Sequence, residues 1–366
     1  MPILRPLVHM LLVTTWFGSF LLDGKQVVSS RPFPKDVKEI AERLRKIDRG
    51  EVLDEERELA AEGKQIEVFD DRLRSLGKFS DGRAPALDNM MGKLGFQASM
   101  LHEAMMLVGH QKLGELGPDR FIVQAMAGLE ELTKTSNLLI ERLTEWYGMH
   151  YPELVETAAQ KELVDLIAEH GGREAISRAQ GKPMESFGTP LSEEDEKALR
   201  SWAVLAQAMM RTREGIEGYV TKRMEQLAPN LCSAVGPLLA ARLISLTGSL
   251  ERLGRLPAST VQLLGAEKAL FQFMREGGRP PKHGVLFQHP LIHRAPPWQR
   301  GKTARALASA AALAARVDFF GKNDRSELIK ATLQKKLERI QKENAAPPVR
   351  RPGEWQGRDR RSAPRR

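Results

Sequence analysis

The stretch Ile122–Trp146, IVQAMAGLEELTKTSNLLIERLTEW, places Ile122, Ala125, Leu129, Leu132, Ser136, Leu139, Leu143 and Trp146 at alternating three- and four-residue steps. Residues so spaced share one face of an α-helix, and the pattern persists for more than three heptads. Ser136 is the one polar seam position and a candidate for setting helix register. Tyr151-Pro152 lies beyond the helix, and a Gly-rich, acidic stretch runs on to Pro190. Ser192, followed by Glu193, Glu194 and Asp195, reads as an N-cap with carboxylates in the first helical turn. Trp202, Ala206, Met209, Ile216, Val220 and Leu227 then repeat the heptad spacing, with Arg213 and Arg223 intruding, until Pro229. Two long heptad-patterned helices joined by a loop form an antiparallel arm. The same pattern also describes the core of a single bundle, and spacing alone leaves both open.

Toward the N-terminus, Leu7–Leu22 is apolar after a single Arg5, as in a signal peptide or membrane helix. It is short for a span and carries Thr14, Thr15, Gly18 and Ser19. Asp23-Gly24 follows between two β-rich runs, which is hairpin chemistry. The expectation is a small sheet with strands at Leu11–Val13 and Trp16–Leu22. Pro34-Lys-Asp36 opens an amphipathic helix carrying Val37, Ile40, Leu44 and Ile47, closed by Asp48-Arg-Gly50, and Ile66–Phe69 is strand-like. Residues 1–115 read as a modest α/β domain.

Toward the C-terminus the chain is helical and alanine-rich. A tail from Asn344 holds four prolines and seven arginines against Glu354 and Asp359, a composition expected to be disordered and cationic. Charge is unevenly distributed within the overall +9. Glu141–Arg200 carries thirteen acidic and seven basic side chains, whereas Gly265–Arg305 carries eight basic and two acidic ones. The positive excess therefore has a location, and it favours an anionic partner. Cys232 is the only cysteine, which excludes a disulfide framework and a thiolate metal cage and fits a reducing cytoplasm.

Within the basic region, HPLIHRAPPWQRGKTAR (His289–Arg305) admits three chemistries. A phosphate loop needs a further glycine upstream of Gly301-Lys-Thr303, but Pro296 holds that position and offers no N–H. A metal site would use His289 and His293, with His283 as a further candidate, but Pro290 interrupts the helix that would align them. An RNA surface needs cations, rings and an irregular backbone, and Gly277–Gly284 followed by Gln288 and His289 supplies them. Lys302 and Arg305 lie on one face of a helix start, where backbone amides also favour phosphate. Solvated surface charge is the ordinary alternative.

Several separate motifs resemble one family. Gly265-Ala-Glu-Lys-Ala-Leu-Phe271, Pro281-Lys-His-Gly284, Gln288-His-Pro-Leu-Ile292, Gly301-Lys-x-Ala-Arg305 and Ala314-Ala-Arg-Val-Asp318 stand in the order and spacing of the Nop domain. Upstream, Glu145-Trp-Tyr-Gly148, Tyr151-Pro-Glu-Leu154, Ala228-Pro-Asn-Leu231, Arg242-Leu-Ile244 and Leu256-Pro-Ala-Ser259 resemble it too. The resemblance covers residues 119–342 and extends more loosely through Trp16–Phe20 into residues 1–115. The chain looks like an archaeal, cytoplasmic Nop-family scaffold of box C/D small ribonucleoproteins.

That resemblance implies a mainly α fold. A small α/β fibrillarin-binding domain occupies 1–115, a coiled-coil dimerisation domain 116–228, a helical Nop domain 229–343 and a basic tail 344–366. It implies binding of a kink-turn guide RNA together with a kink-turn-binding protein of the ribosomal type. Fibrillarin, which uses S-adenosylmethionine, would then methylate the 2′-hydroxyl of substrate RNA, so this chain itself needs no cofactor, no metal and no catalytic residue. The implied RNA-binding residues are Lys268, Phe271, Arg275, Lys282, His283, Gln288, His289, Arg300, Lys302 and Arg305, with His289 stacking and Ala269-Leu-Phe271 capping the guide–substrate duplex. The implied homodimer contacts are Ile122, Leu129, Leu132, Leu139, Leu143, Trp202, Met209 and Ile216. Gln272 stands where arginine is common, which is expected to remove one charge at the duplex end, and Ala310 where lysine is common, which is expected to thin the cationic face. A splicing factor with a Nop domain, or an NTPase or metal-dependent enzyme, are the competing readings.

Overall fold

The structure, a computed structural model, describes residues 10–347 apart from 64, 182–185, 279 and 322. The first residues of the apolar N-terminal run, Arg279, and the tail beyond Pro347 lie outside that description. Compactness divides the chain once, into Met1–Leu116 and Gly117–Arg366.

In the first unit, β1 (Met10–Thr15), β2 (Gly18–Asp23) and β3 (Gln26–Pro32) form an antiparallel meander. Two short strands, β4 (Ile66–Val68) and β5 (Lys78–Phe79), add to it in parallel, giving the order β3-β2-β1-β4-β5. The expected strand from Trp16 starts two residues later, because Thr15 pairs with Gly18 and Trp16-Phe17 is the turn. Both rings leave the strand path to pack on Phe96, at centroid distances of 5.7 and 5.9 Å. Asp23-Gly24 does form the next hairpin, with Asp23 paired to Gln26 and Gly24 at φ +60°.

The apolar run is explained by a sheet covered on both faces. Val13, Phe20 and Leu22 pack with Ile40 and Ala41 of α1 (Val37–Asp48) and Ala104 of α4 (Ala98–Gly114). The alternate residues Leu12 and Leu21 pack with Leu59 of α2 (Asp54–Glu62). A short α3 (Asp88–Lys93) precedes α4. Asp36 caps α1 by accepting from Lys38 N and Glu39 N. Glu56 of α2 is fully buried, and its carboxylate meets the Arg72 guanidinium at 2.7 Å and Leu53 N at 2.8 Å.

In the second unit, α5 (Pro118–Gly148) and α9 (Glu193–Leu227) pack along their length. Ser192 caps α9 by accepting from Asp195 N at 3.1 Å. Between them, α6 (Pro152–Thr157), α7 (Gln160–His170) and α8 (Arg173–Gln180) wrap the distal end. The heptad is real, but its second column is displaced by one residue. Ile122, Leu129, Ser136 and Leu143 are buried as expected, alternating with Met126, Ile140 and Tyr147. Ala125, Leu132, Leu139 and Trp146 are only half-buried. On α9 the buried column is Leu199, Ala203, Ala206, Met210, Val220 and Met224, while Trp202, Met209 and Ile216 are not part of it.

This corrects the assignment of Ile122, Leu129 and Leu143 to a dimer contact, since the chain's own α9 covers them. Ser136 does not reach across the seam either; its hydroxyl donates to Thr133 O at 3.2 Å in its own helix. The cross-helix hydrogen bond runs from Trp202 Nε1 to Leu139 O at 3.0 Å. The seam is apolar at both ends and polar between them, where Arg213 approaches Glu217 at 3.7 Å.

The arm and the C-terminal helices share a core instead of forming separate domains. Ile122, Met126, Val220 and Met224 pack with α10 (Pro229–Val235), α11 (Pro237–Thr247), α12 (Leu250–Arg255) and α13 (Ala258–Leu263). Arg242 of α11 pairs with Glu130 of α5, and Asp119 accepts from Leu250 N at 3.0 Å. After α14 (Glu267–Glu276) and the four-residue α15 (Pro290–His293) comes α16 (Arg300–Arg316), whose small residues admit α10, α12, α13 and α17 (Ser326–Glu343) closely. Ala310 is buried in this packing.

No single described helix is long and apolar enough to cross a membrane. The bent pair α10–α11 has the composition, but Leu231, Val235, Leu243 and Ile244 lie in the core.

Candidate nucleic-acid interface

The basic region presents two kinds of surface. The first is α14, which has no buried side chain. An amphipathic helix normally buries its apolar stripe, yet Phe271 is 64% exposed and Met274 is 55% exposed. Lys268, Phe271, Gln272, Met274 and Arg275 line one open depression. Two of these polar groups are engaged: Gln272 Nε2 and Arg275 Nη2 both donate to Glu276, at 3.0 and 2.8 Å. Lys268 has no ion-pair partner among the described residues. A positive charge beside an exposed ring suits a base stacked near phosphate.

The second surface is the run from Gly277 to Arg305. The loop is pinned to the end of α13: Gly284 N donates to Gln262 O at 2.9 Å, Val285 N to Leu264 O at 2.7 Å, and Gln262 Nε2 to Lys282 O at 2.7 Å. A Cβ on Gly284 would lie 1.9 Å from Leu264 O, so only glycine permits this approach.

Phe287 organises the segment from His283 to Arg300, although nothing in its spacing singled it out. His283 stacks on it at 4.5 Å, His293 meets it edge-on at 5.4 Å, and the Arg300 guanidinium lies 5.4 Å from its centroid. Arg300 Nε also donates to Ala295 O at 3.0 Å, and an Nη to His293 O at 3.3 Å. Arg300 and His283, both expected at the RNA, thus also hold the loop together, and each stays partly exposed. Burial, reinforced by the Arg300 and Lys282 charges, pushes the His283 imidazole below its usual value.

His289 caps α15. Its Nδ1 accepts from Leu291 N at 3.2 Å, which leaves the ring proton on Nε2. Burial lowers its pKa, so the ring is neutral at pH 7. A neutral ring with one outward donor can stack on a base or bond to it. Among the described residues no three His, Cys, Asp or Glu side chains converge as a metal site would require.

At the start of α16, Lys302 and Arg305 are exposed, and Lys282 lies across Gly301 beside them. Three of the helix-start amides are engaged within the chain. Arg300 N donates to Pro296 O, and Lys302 N and Thr303 N donate to Gln299 O. Thr303 is buried with its hydroxyl on Gln299 O at 3.2 Å, so Gly-Lys-Thr is a packed helix start and not a nucleotide loop. Cationic side chains remain: Lys268 on α14, and Lys282, Lys302 and Arg305 around α16, with Gln288 between them in sequence.

One contact was invisible in the spacing. Trp298 Nε1 and Gln299 Nε2 donate to Asn344 O at 3.0 and 2.8 Å, and Lys302 Nζ contacts Asn344 Oδ1. Asn344, expected to begin a disordered tail, is held at the start of α16.

The family model described as "Nop: snoRNA binding domain, fibrillarin" matches residues 128–342. An uncharacterised NOP5 family protein of Methanocaldococcus jannaschii is 40% identical over 244 residues, which are 63% of this chain and 59% of that protein. Nucleolar protein 58 of Neosartorya fischeri is 38% identical over 232 residues, 59% of this chain and 39% of its own. This chain therefore spans less than two thirds of the length of these relatives. A chain from the crystal structure of a fibrillarin/Nop5p complex aligns over 90% of this chain and 99% of its own, with 23% identity and a TM-score of 0.41.

Proposed function

From a chain that belongs to the Nop family, we propose a non-catalytic scaffold of a box C/D ribonucleoprotein that clamps a kink-turn guide RNA jointly with a kink-turn-binding protein. Residues 1–115 hold fibrillarin, and its S-adenosylmethionine supplies the methyl group for the 2′-hydroxyl of the substrate RNA. The observation that carries this reading is the set of exposed cations within the span of the family match: Lys268 beside an unburied Phe271 on α14, and Lys282, Lys302 and Arg305 around the start of α16. Phosphate neutralisation by such side chains supplies affinity, and an exposed ring supplies a stacking platform.

The arm pairs two copies through surfaces that α9 leaves uncovered, and the assembly works in the cytoplasm of an archaeal cell. The protein contributes geometry, holding methyltransferase and guide in one frame.

The test is reconstitution. The full chain, and the chain lacking residues 1–115, are mixed with fibrillarin and with guide RNA carrying the kink-turn protein. Both forms are expected to retain RNA, and only the full chain to retain fibrillarin. Methyl transfer by this chain alone, rigorously free of fibrillarin, would overturn the scaffold assignment.

A further inference from the structure

Gln262 brackets His283. Its carbonyl accepts from Gly284 N at 2.9 Å and its Nε2 donates to Lys282 O at 2.7 Å, so the main chain is bonded on both sides of the imidazole. Leu286, three residues on, is fully buried in the C-terminal core, and Phe287, on which the imidazole rests, packs against that core. A side chain on an open loop keeps its rotamer freedom until a ligand orders it. His283 is ordered in the free protein, so binding costs little of that entropy.

The pair is also set apart by its angle. The His283 and Phe287 planes lie 17° apart with centroids 4.5 Å from each other, whereas the other ring pairs among the described residues meet at 41–89°. Edge-on rings close a cluster; parallel rings leave a flat face that a third ring can continue. Phe287 is already met by the Arg300 guanidinium and by the edge of His293, so the stack is open at His283. That imidazole is only partly buried, and Lys282 beside it is exposed. Burial, with the Arg300 and Lys282 charges, lowers its pKa, so the ring is neutral at pH 7. His289 has no such backing: it joins no ring pair among the described residues, and its Nδ1 is taken by Leu291 N.

We propose that the face of His283 turned away from Phe287 is a stacking site for one unpaired base of the RNA, with Lys282 on a neighbouring phosphate. An unpaired base has a free face to offer, and stacking on a protein ring tolerates any base. The site rests on the RNA-binding reading and names what is held at this point: a base plane, beside the phosphates met by Lys302 and Arg305.

The experiment measures affinity of the full chain for guide RNA carrying the kink-turn protein at several salt concentrations, with folding of each variant checked by circular dichroism. His283→Leu fills the space on Phe287 without a π-face, and is expected to weaken binding about five- to fiftyfold with the salt slope unchanged. His283→Tyr keeps a flat ring and is expected to bind within about twofold of wild type. Lys282→Ala is expected to lower the salt slope by roughly 0.7–0.9. Phe287→Leu should weaken binding too, but no further once His283→Leu is present. Guide RNAs made abasic at each unpaired position in turn locate the base: at one position, wild type and His283→Leu should bind alike. If His283→Tyr binds as weakly as His283→Leu, the ring face is not what matters and the stacking site falls. If no abasic position cancels the effect of His283→Leu, the ring meets protein and the site falls as well. If His283→Leu binds like wild type while Arg305→Ala still weakens binding, the stacking site falls and the RNA face stands. If Arg305→Ala, Lys282→Ala and His283→Leu all bind like wild type, the underlying RNA reading fails instead.

Discussion

Asp318 and Asn230, 88 positions apart, meet inside the C-terminal core: Asp318 Oδ1 accepts from Asn230 N at 3.1 Å and from Asn230 Nδ2 at 2.7 Å. Its other oxygen accepts from Leu231 N at 2.8 Å, so one carboxylate caps the start of α10 from the π-helical turn Val317–Gly321. Asn230 Oδ1 in turn accepts from Arg325 N at 2.7 Å, which ties in the approach to α17. Three helices thus depend on one buried pair. Burial pushes the Asp318 carboxyl upward while these donors oppose the shift. Cys232, close by in α10, has its thiol pushed up to about 12 by burial, and is accordingly inert.

Asp318→Ala is expected to destabilise the protein by about 2–3 kcal/mol, because it leaves buried N–H donors unpaired. Urea unfolding monitored by helical signal measures it. A midpoint equal to wild type would show that water replaces the carboxylate at no cost.

The arm separates folding from pairing. Leu143 is fully buried against the chain's own helices, so Leu143→Ala should cost about 2–5 kcal/mol. Leu138, 66% exposed on the same helix, should tolerate Leu138→Asp without loss of helix. Combined with Leu205→Asp, it should lower the sedimenting mass toward that of one copy if the arm pairs scaffolds. An unchanged dimer mass would place the contact elsewhere.

Arg305 and Arg300 should behave differently although both are basic residues of α16. Arg305→Ala is expected to weaken RNA binding and lower the salt slope by about one unit, with unfolding unchanged. Arg300→Ala should instead destabilise the fold by about 1–2 kcal/mol, read from the unfolding midpoint, since it removes two carbonyl contacts and the Phe287 stack. Arg300→Lys should restore little, because an ammonium lacks the planar fork.

His289 supplies a pH signature. Its pKa is lowered by burial, so its neutral form contributes stability that is present above the usual histidine value near 6.5 and lost as pH falls through the lower folded value. His289→Asn keeps a side-chain acceptor at the cap and removes the titration. Between pH 7 and pH 5 the wild-type melting temperature should fall further than that of His289→Asn. Parallel curves would show that the ring titrates alike in the folded and unfolded states, so that burial does not shift it.

Periodicity along a chain is a local property, so the two long helices, the Ser192 cap, the Asp23-Gly24 hairpin and the position of the basic excess were all legible without coordinates. Which of two neighbouring columns forms the seam was not. Ala125, Leu139 and Trp146 are as apolar as Met126, Ile140 and Tyr147, and the partner helix and the wrap of α6–α8 select the second set. The same limit applies at the interface. Composition marks Arg300, His283 and Lys302 alike as cations or rings, but the fold brings Phe287 to the first two and Asn344 to the third. Residue type and spacing therefore determined which elements form and what chemistry the region carries. Only tertiary packing decided which side chains that chemistry leaves free, because desolvation and hydrogen-bond partners come from residues distant in sequence.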